Sequence, residues 1–425
     1  MKKHWEYVVV GSGAGGATVA RELSMMGREV LIVEAGRYEE HIGTFKDSLR
    51  YFETTGYRTP RTSEEGVILW RTIMAGGSTV VSCANGTRCL QEEFNDLGID
   101  LEGEFRKAER EMGISPTPKS LLSDASLSMG EAASDLGYKM EPMPKFLDFS
   151  KCVRCGCCTF GCMRAAKWTA LNYLADALAL GAEVLYETEA HEAIVRDGKV
   201  RGIRGRGKKG YVEIEADNVI LAAGALTTPI ILQNSGLQCA GKNLFVDTFV
   251  NVHGIAEGLN QAGEPPMALV DHEFHDEKGF ILSPHINVSR TVRFMEAGRK
   301  GFMMPTDKLV GIMVKTADDA SGRVYPDGRV SKAVTREDQK RINGGVEVAE
   351  EILGKIGAGR FVVSKPQGTH VGGTATIGTV VDGYLETKVR HLHVCDASVL
   401  PHAPGLPPIL TIVALGKWLG KALTH

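Results

Sequence analysis

The sequence predicts an α/β protein: a Rossmann-like, two-dinucleotide-fold core, a smaller α+β substrate-binding domain, and a cysteine-rich insert. Three observations carry this reading. A strand, a glycine turn and a helix stand near the start of the chain. A meander of short strands ends in another glycine. Five of the nine cysteines fall between Cys152 and Cys162.

Tyr7–Val10 is a short apolar strand that runs into Gly11-Ser-Gly13-Ala14-Gly-Gly16, and Val19, Ala20 and Leu23 share one face of the helix that follows. Gly11 makes the tight turn, Gly13 lets the backbone approach a pyrophosphate, and Gly16 lets helix and strand pack closely. The free amides from Ala14 onward and the positive end of the helix dipole suit an anion. A second strand, Val30–Val33, ends in Glu34, where an acidic residue can accept hydrogen bonds from the ribose hydroxyls of a dinucleotide. A glycine-rich turn without a ligand is the competing reading.

The fingerprint serves FAD and NAD alike, and the segment from Glu183 to Gly224 favours FAD. It reads as a meander with a turn at Asp197-Gly198, and its last strand returns to the sheet beside the cofactor. Helical periodicity marks 101–112, 123–136, 169–180 and 335–356, with prolines at 116, 118, 142 and 144 in the loops. Phe280–Leu282 and Lys308–Val314 are strand-like. The glycine turn, the returning strand and the last segment must meet one cofactor, so the core is expected from 1–120, 165–245 and 365–425. The cysteine insert takes 146–166 and the substrate domain 250–364.

Composition excludes several classes. With 425 residues, 43% hydrophobic and a net charge of -3, the chain reads as an ordinary soluble globular protein with nucleic acid an unlikely ligand class. No apolar run reaches the roughly 18 residues that span a bilayer, and no cleavable signal region precedes the first strand, which fits a cytoplasmic protein.

Cys152, Cys155, Cys158 and Cys162 have the C-x2-C-x2-C-x3-C spacing of bacterial ferredoxins, with Gly156 where the backbone must curl. A 4Fe-4S cluster, a structural zinc and a set of free thiols compete. A three-iron cluster enters if Cys162 does not close the cube, and Cys157, Cys83, Cys89 or Cys239 are then substitute ligands, with Cys89 the foremost. Lys151, Arg154, Arg164 and Lys167 flank the run and would offset cluster charge.

The chain resembles the glucose-methanol-choline (GMC) oxidoreductases, in particular their long-chain alcohol oxidase-like branch. The matching residues are Gly76-Gly77-Ser78-Thr79 with Asn85 and Arg88, the run Gly224–Gly236, His370-Val-Gly-Gly-Thr374, Val394–Pro401 and Pro408–Thr411. The resemblance implies an FAD-dependent enzyme acting on CH-OH groups, with His370 taking the hydroxyl proton as hydride moves to the flavin. It places Gly76, Gly77 and Ser78 close to the isoalloxazine, Asp396 near the ribityl chain, and the helix after Pro408 with its dipole toward the flavin's pyrimidine end. Where the family has Asn or His, this chain has Pro407, so a second polar contact to the substrate oxygen must come from elsewhere, with His402 one candidate. A cluster would make the enzyme a dehydrogenase passing single electrons to a ferredoxin, a quinone or a partner iron-sulfur subunit. The alternatives are an electron-transfer subunit of a larger complex, or a reductase running in reverse.

Overall fold

Near-continuous apolar runs such as Val8-Val-Val10 and Val30-Leu-Ile-Val33 are what a parallel sheet covered on both faces requires, and both strands are buried. The computed structural model describes residues 4–55 and 59–424. Its first sheet has seven strands. Six run in the order Glu189–Arg196, Lys199–Gly207, Gly210–Leu221, His4–Val10, Val30–Val33, Glu183–Leu185, and Leu392–Val394 pairs with Gly210–Leu221. Val8 lies opposite Val219 on one side and Leu31 on the other, both in parallel. The long strand Gly210–Leu221 does two jobs. Its first half closes the antiparallel meander, and its second half enters the parallel core, where Val219 pairs with Leu392.

Helices Ala14–Met25 and Ile409–Ala422 cross closely, because a Cβ on Gly416 would stand 2.8 Å from the Thr18 Cβ. Lys417, fully buried on the second helix, reaches Glu22 on the first at 3.0 Å and Glu111 on the helix Glu102–Met112 at 2.6 Å.

The second sheet runs Phe280–Pro284, Leu309–Thr316, Phe249–Ile255, Gln367–Gly368, Ile68–Leu69, Thr59–Thr62, Thr54–Thr55, with Gly359–Val363 also paired to Phe249–Ile255. Thr54–Thr55, Thr59–Thr62 and Ile68–Leu69 thus belong to this sheet, although the sequence assigns 1–120 to the core. Period-two alternation separates its faces. Val250, Val252, Ile312 and Val314 pack with Ile342, Ala349 and Ile352 of the helix Arg336–Lys355. Phe249, Met313 and Lys315 take the opposite face, which lines a cavity. The predicted helices are present within one or two residues, and Thr335 and Asp338 form a capping box at the start of the last. Among the described residues no helix is long and apolar enough to cross a membrane.

Candidate active site

A cavity of about 500 Å³ is lined by residues from both sheets. At one end stand Gly11, Gly13, Ala14 and Glu34. The middle is lined by Gly77, Ser78, Gly224 and Asp396. At the other end are Trp70, Phe249, Met313, Lys315, His370 and Pro408. Two helices begin at its wall, at Gly13 and Pro408, and neither has a side-chain cap, so first-turn amides are free to meet a ligand.

The glycine turn is shaped by close approach. A Cβ on Gly16 would lie 2.0 Å from the Gly11 carbonyl oxygen, and one on Gly15 would lie 1.8 Å from that of Cys395, whereas one on Gly13 would meet nothing within 4 Å. Gly13 therefore borders open space, and a dinucleotide pyrophosphate fits there. Glu34 is buried beside it. Its carboxylate accepts from the Ser12 amide at 2.9 Å, the Ser12 hydroxyl at 2.7 Å and the Gly36 amide at 2.7 Å, and burial raises its pKa. Ser12 in turn accepts from the Gly76 amide at 3.0 Å, tying the two glycine loops together. Gly76 itself does not line the cavity. Its φ of 81° and the Leu171 and Val80 side chains against it require the glycine. Asp396 accepts from the Gly224 amide at 2.8 Å and the Thr228 hydroxyl at 2.6 Å, so it holds the second glycine loop in place. The open glycine cradle, the two uncapped helix starts and the long cavity joining them suit an extended FAD.

His370 is held from behind. Its Nδ1 is 3.0 Å from the carboxylate of Asp247, whose other oxygen accepts from the Gly405 amide at 3.0 Å. Asp247 is fully buried with φ 47°, and its loop is clamped by Asp318, which accepts from the Val246 and Asp247 amides and pairs with Lys332 at 2.8 Å. Gly372 and Gly373 follow His370 because the Phe245 ring fills the space that side chains would need, 2.3 Å from a Cβ on Gly372. Lys315 Nζ lies 3.2 Å from His370 Nδ1 and 3.4 Å from Nε2. Burial, and then the charge of Lys315, hold His370 well below the usual imidazole pKa, so it is neutral near pH 7. Lys315 is pushed down to about 8 by burial, with Asp247 opposing.

His402 stands apart. Its Nε2 pairs with Glu93 at 3.0 Å, half its side chain is exposed, and it does not line the cavity, so the second polar contact is not built from it. Lys315 is the polar side chain that stands beside His370 in the cavity, and strand alternation through Leu309-Val-Gly-Ile-Met-Val-Lys315 is the signal that could have found it. Asp247 left no comparable signal, because it follows from a loop conformation.

The cysteine loop does not form the expected metal centre. Among the described residues no three His, Cys, Asp or Glu side chains converge where they could hold a metal ion, and the nine cysteines are free thiols. Their exposure differs: Cys158 is buried, Cys155 is exposed, and Cys152 and Cys162 are half-buried. Cys155 is held down to about 6, first by the Cys157 thiol and also by Arg164. Cys89 is drawn away to the Thr411 hydroxyl, at 3.1 Å from its Sγ, so it is no substitute ligand. What does gather under the loop is positive charge. Lys167 Nζ donates to the carbonyls of Val80, Ser82 and Cys158 at 2.8, 2.7 and 3.0 Å. Lys145 Nζ donates to Cys83, Asn85 and Pro266 oxygens at 2.9, 2.6 and 2.9 Å. Both are buried, and Thr159 and Phe160 of the loop line the cavity.

Comparison with known proteins agrees with this geometry. Two GMC oxidoreductase family models match, over residues 5–249 and 314–416. The chain is 31% identical over 416 residues to the uncharacterized protein MJ1450 of Methanocaldococcus jannaschii, covering 97% of this chain and 98% of that one. It is 24% identical over 503 residues to the long-chain-alcohol oxidase FAO3 of Arabidopsis thaliana, covering 96% of this chain and 66% of the plant protein. Among solved structures, pyridoxine 4-oxidase from Mesorbium loti is similar in fold, with a TM-score of 0.75 at 17% identity over 99% of both chains.

Proposed function

This chain belongs to the GMC oxidoreductase family, as an FAD-dependent oxidoreductase, and we propose that it oxidises an alcohol's CH-OH group with His370 as the base. The observation that carries the proposal is the Asp247–His370 pair opening onto the cavity that also takes in the glycine turn. FAD, when bound, supplies the two-electron acceptor for hydride. With the Nδ1 proton committed to Asp247, His370 presents Nε2 as an acceptor for the hydroxyl proton. Lys315, whose ammonium lies 3.4 Å from Nε2, gives up that contact to donate to the alcohol oxygen as negative charge develops there, which frees Nε2 for the proton and fills the part for which Pro407 has no side-chain group. Asp247 holds the ring's orientation and tautomer. Gly11, Gly13, Ala14 and Glu34 would hold the dinucleotide end, Gly77, Ser78, Gly224 and Asp396 the middle, and the helix after Pro408 the flavin end. Gly16 and Gly76 act through packing.

The test is anaerobic mixing of FAD-loaded protein with primary alcohols of increasing chain length. Bleaching of the flavin band, lost in His370→Gln with flavin content retained, is the expected result. Unchanged bleaching in that variant would remove His370 from the chemistry.

A second reading, for the electrons' exit, is favoured by the charge under the cysteine loop. An uncompensated buried cation costs several kcal/mol, and Lys145 and Lys167 have carbonyl and amide partners but no carboxylate among the described residues. Cys152, Cys155, Cys158 and Cys162 would hold an anionic 4Fe-4S cluster once the loop drew their sulfurs together, and such a group supplies one-electron transfer to an external acceptor. Acid-labile sulfide in anaerobically purified protein, at about four per chain, is the expected result. A flavin spectrum with no sulfide would return the cysteines to thiols.

A further inference from the structure

The cavity around His370 holds a buried cation, Lys315. Lys315 is 2% exposed and lines the cavity, and among the described residues its ammonium has hydrogen-bond partners only on the imidazole of His370. A neutral imidazole offers one acceptor to an ammonium's three donors. Two donors on a buried cation are therefore unmet, a cost that an anionic ligand would relieve. Asn85 lines the same cavity. Its Oδ1 accepts from Lys145 at 2.6 Å, while its Nδ2 has only the thioether of Met267, a weak acceptor, at 3.2 Å.

The charge of Asp247 acts on Lys315, but among the described residues that carboxylate makes no hydrogen bond to the ammonium, so the spare donors stay unmet. Asp247 is already engaged by His370 and by the Gly405 amide. His285, also on the wall, is pushed down to about 3 by burial, with His253, Lys315 and Lys145 adding to the effect, and so carries no charge. Trp70, Phe249, Met267 and Met313 supply an apolar part of the wall, Asn287 and Glu296 also line the cavity with the Glu296 carboxyl raised to about 7 by burial, and the Lys315 ammonium lies 5.6 Å from the centre of the Phe249 ring. A fixed cation with spare donors, next to the base, matches an alcohol whose reacting carbon carries an ionised acid group.

We propose that the substrate is an α-hydroxy carboxylate, with its carboxylate held by Lys315 and Asn85 while the hydroxyl faces His370. This rests on the alcohol oxidation proposed above and names its substrate class. The reaction balances. The hydroxyl proton passes to His370, the C–H bond breaks with its electron pair going to bound FAD, and C–O becomes C=O, leaving an α-keto carboxylate and two-electron-reduced flavin.

The experiment uses FAD-loaded protein under anaerobic conditions with two matched pairs, lactate against methyl lactate and mandelate against methyl mandelate. Each pair differs by one charge. Flavin bleaching with the acids should exceed that with the esters by about a hundredfold in rate over KM, and in Lys315→Met the acids and esters should fall to a common level. Lys315→Arg keeps the charge and should preserve the preference, which separates lost charge from lost fold. Equal rates for acid and ester, or a preference that survives Lys315→Met, would overturn the proposal while leaving alcohol oxidation standing. If no alcohol bleaches the flavin, it is the alcohol reading that fails, and titration with pyruvate and benzoylformate decides the anion site. A flavin spectral shift lost in Lys315→Met supports it, and no shift in the wild type overturns it.

Discussion

Asp247 joins two distant parts of the chain at one carboxylate, taking His370 Nδ1 on one oxygen and the Gly405 amide on the other, both at 3.0 Å. The imidazole is therefore fixed to the backbone that leads into Pro407 and Pro408, the wall at the flavin end. Orientation of the base and position of that wall are set together.

Asp247→Asn should keep the shape of this junction and lose the ring's tautomer control. We expect kcat to fall by about 10²- to 10⁴-fold with flavin content near wild type. Stopped-flow bleaching alongside a flavin-to-protein absorbance ratio measures both. A fall in flavin content that tracks the fall in rate would show Asp247 to be structural only.

The pH profile should lose activity above pH about 8, where burial has brought the Lys315 ammonium. Loss of that proton removes the positive charge beside the reacting oxygen, so the alkaline limb reports Lys315. Arg in its place stays charged, and Lys315→Arg should extend the plateau upward. An unmoved alkaline limb in that variant would assign the limb to another group.

The glycines of the first turn should separate by phenotype. Gly16→Ala places a Cβ 2.0 Å from a backbone oxygen and should lower the melting temperature of the FAD-free protein. Gly13→Ala meets no protein atom within 4 Å and should leave that temperature unchanged while weakening FAD binding. Thermal unfolding and flavin titration of both variants make the comparison.

Glu296 is raised to about 7 by burial, with its Oε1 accepting from Asn287 at 2.8 Å and its Oε2 unpartnered among the described residues. The folded state holds this proton more tightly than the unfolded chain. Its contribution is therefore complete below the unfolded carboxyl pKa and is lost as pH rises to about 7, a span worth roughly 3 kcal/mol. Glu296→Gln should flatten that part of the stability profile in urea titrations from acid to neutral pH.

Lys417→Met should cost about 1–3 kcal/mol, because Glu22 and Glu111 lose a buried donor on the helix Ile409–Ala422 while Glu22 keeps Lys107 at 3.0 Å and Arg21 at 3.1 Å. Combining it with Glu22→Gln should recover much of the loss in the same denaturant assay. Additive losses would mean that the pair does not act as a unit.

Period and turn chemistry made the core legible in the sequence. The glycine turn, Val30–Val33 and the meander with its Asp197-Gly198 turn are local patterns, and local patterns survive folding. The place of His370 on the cavity wall was legible only through family resemblance, since no single histidine announces its surroundings. Lys315 sits in a strand whose alternation was readable, but its meaning depends on meeting His370 across 55 positions. The cysteine run shows the opposite limit. Its spacing is local, but whether four thiols gather depends on the surrounding loop, which buries Cys158 and exposes Cys155.

The contact between Gly15 and the Cys395 carbonyl carries a consequence for how the protein is made. The glycine turn is synthesised about 380 residues before its supporting strand, Leu392–Val394. At roughly 5–20 residues per second the nascent turn waits tens of seconds beside an incomplete sheet edge. The turn therefore reaches its folded packing only once that strand has been made.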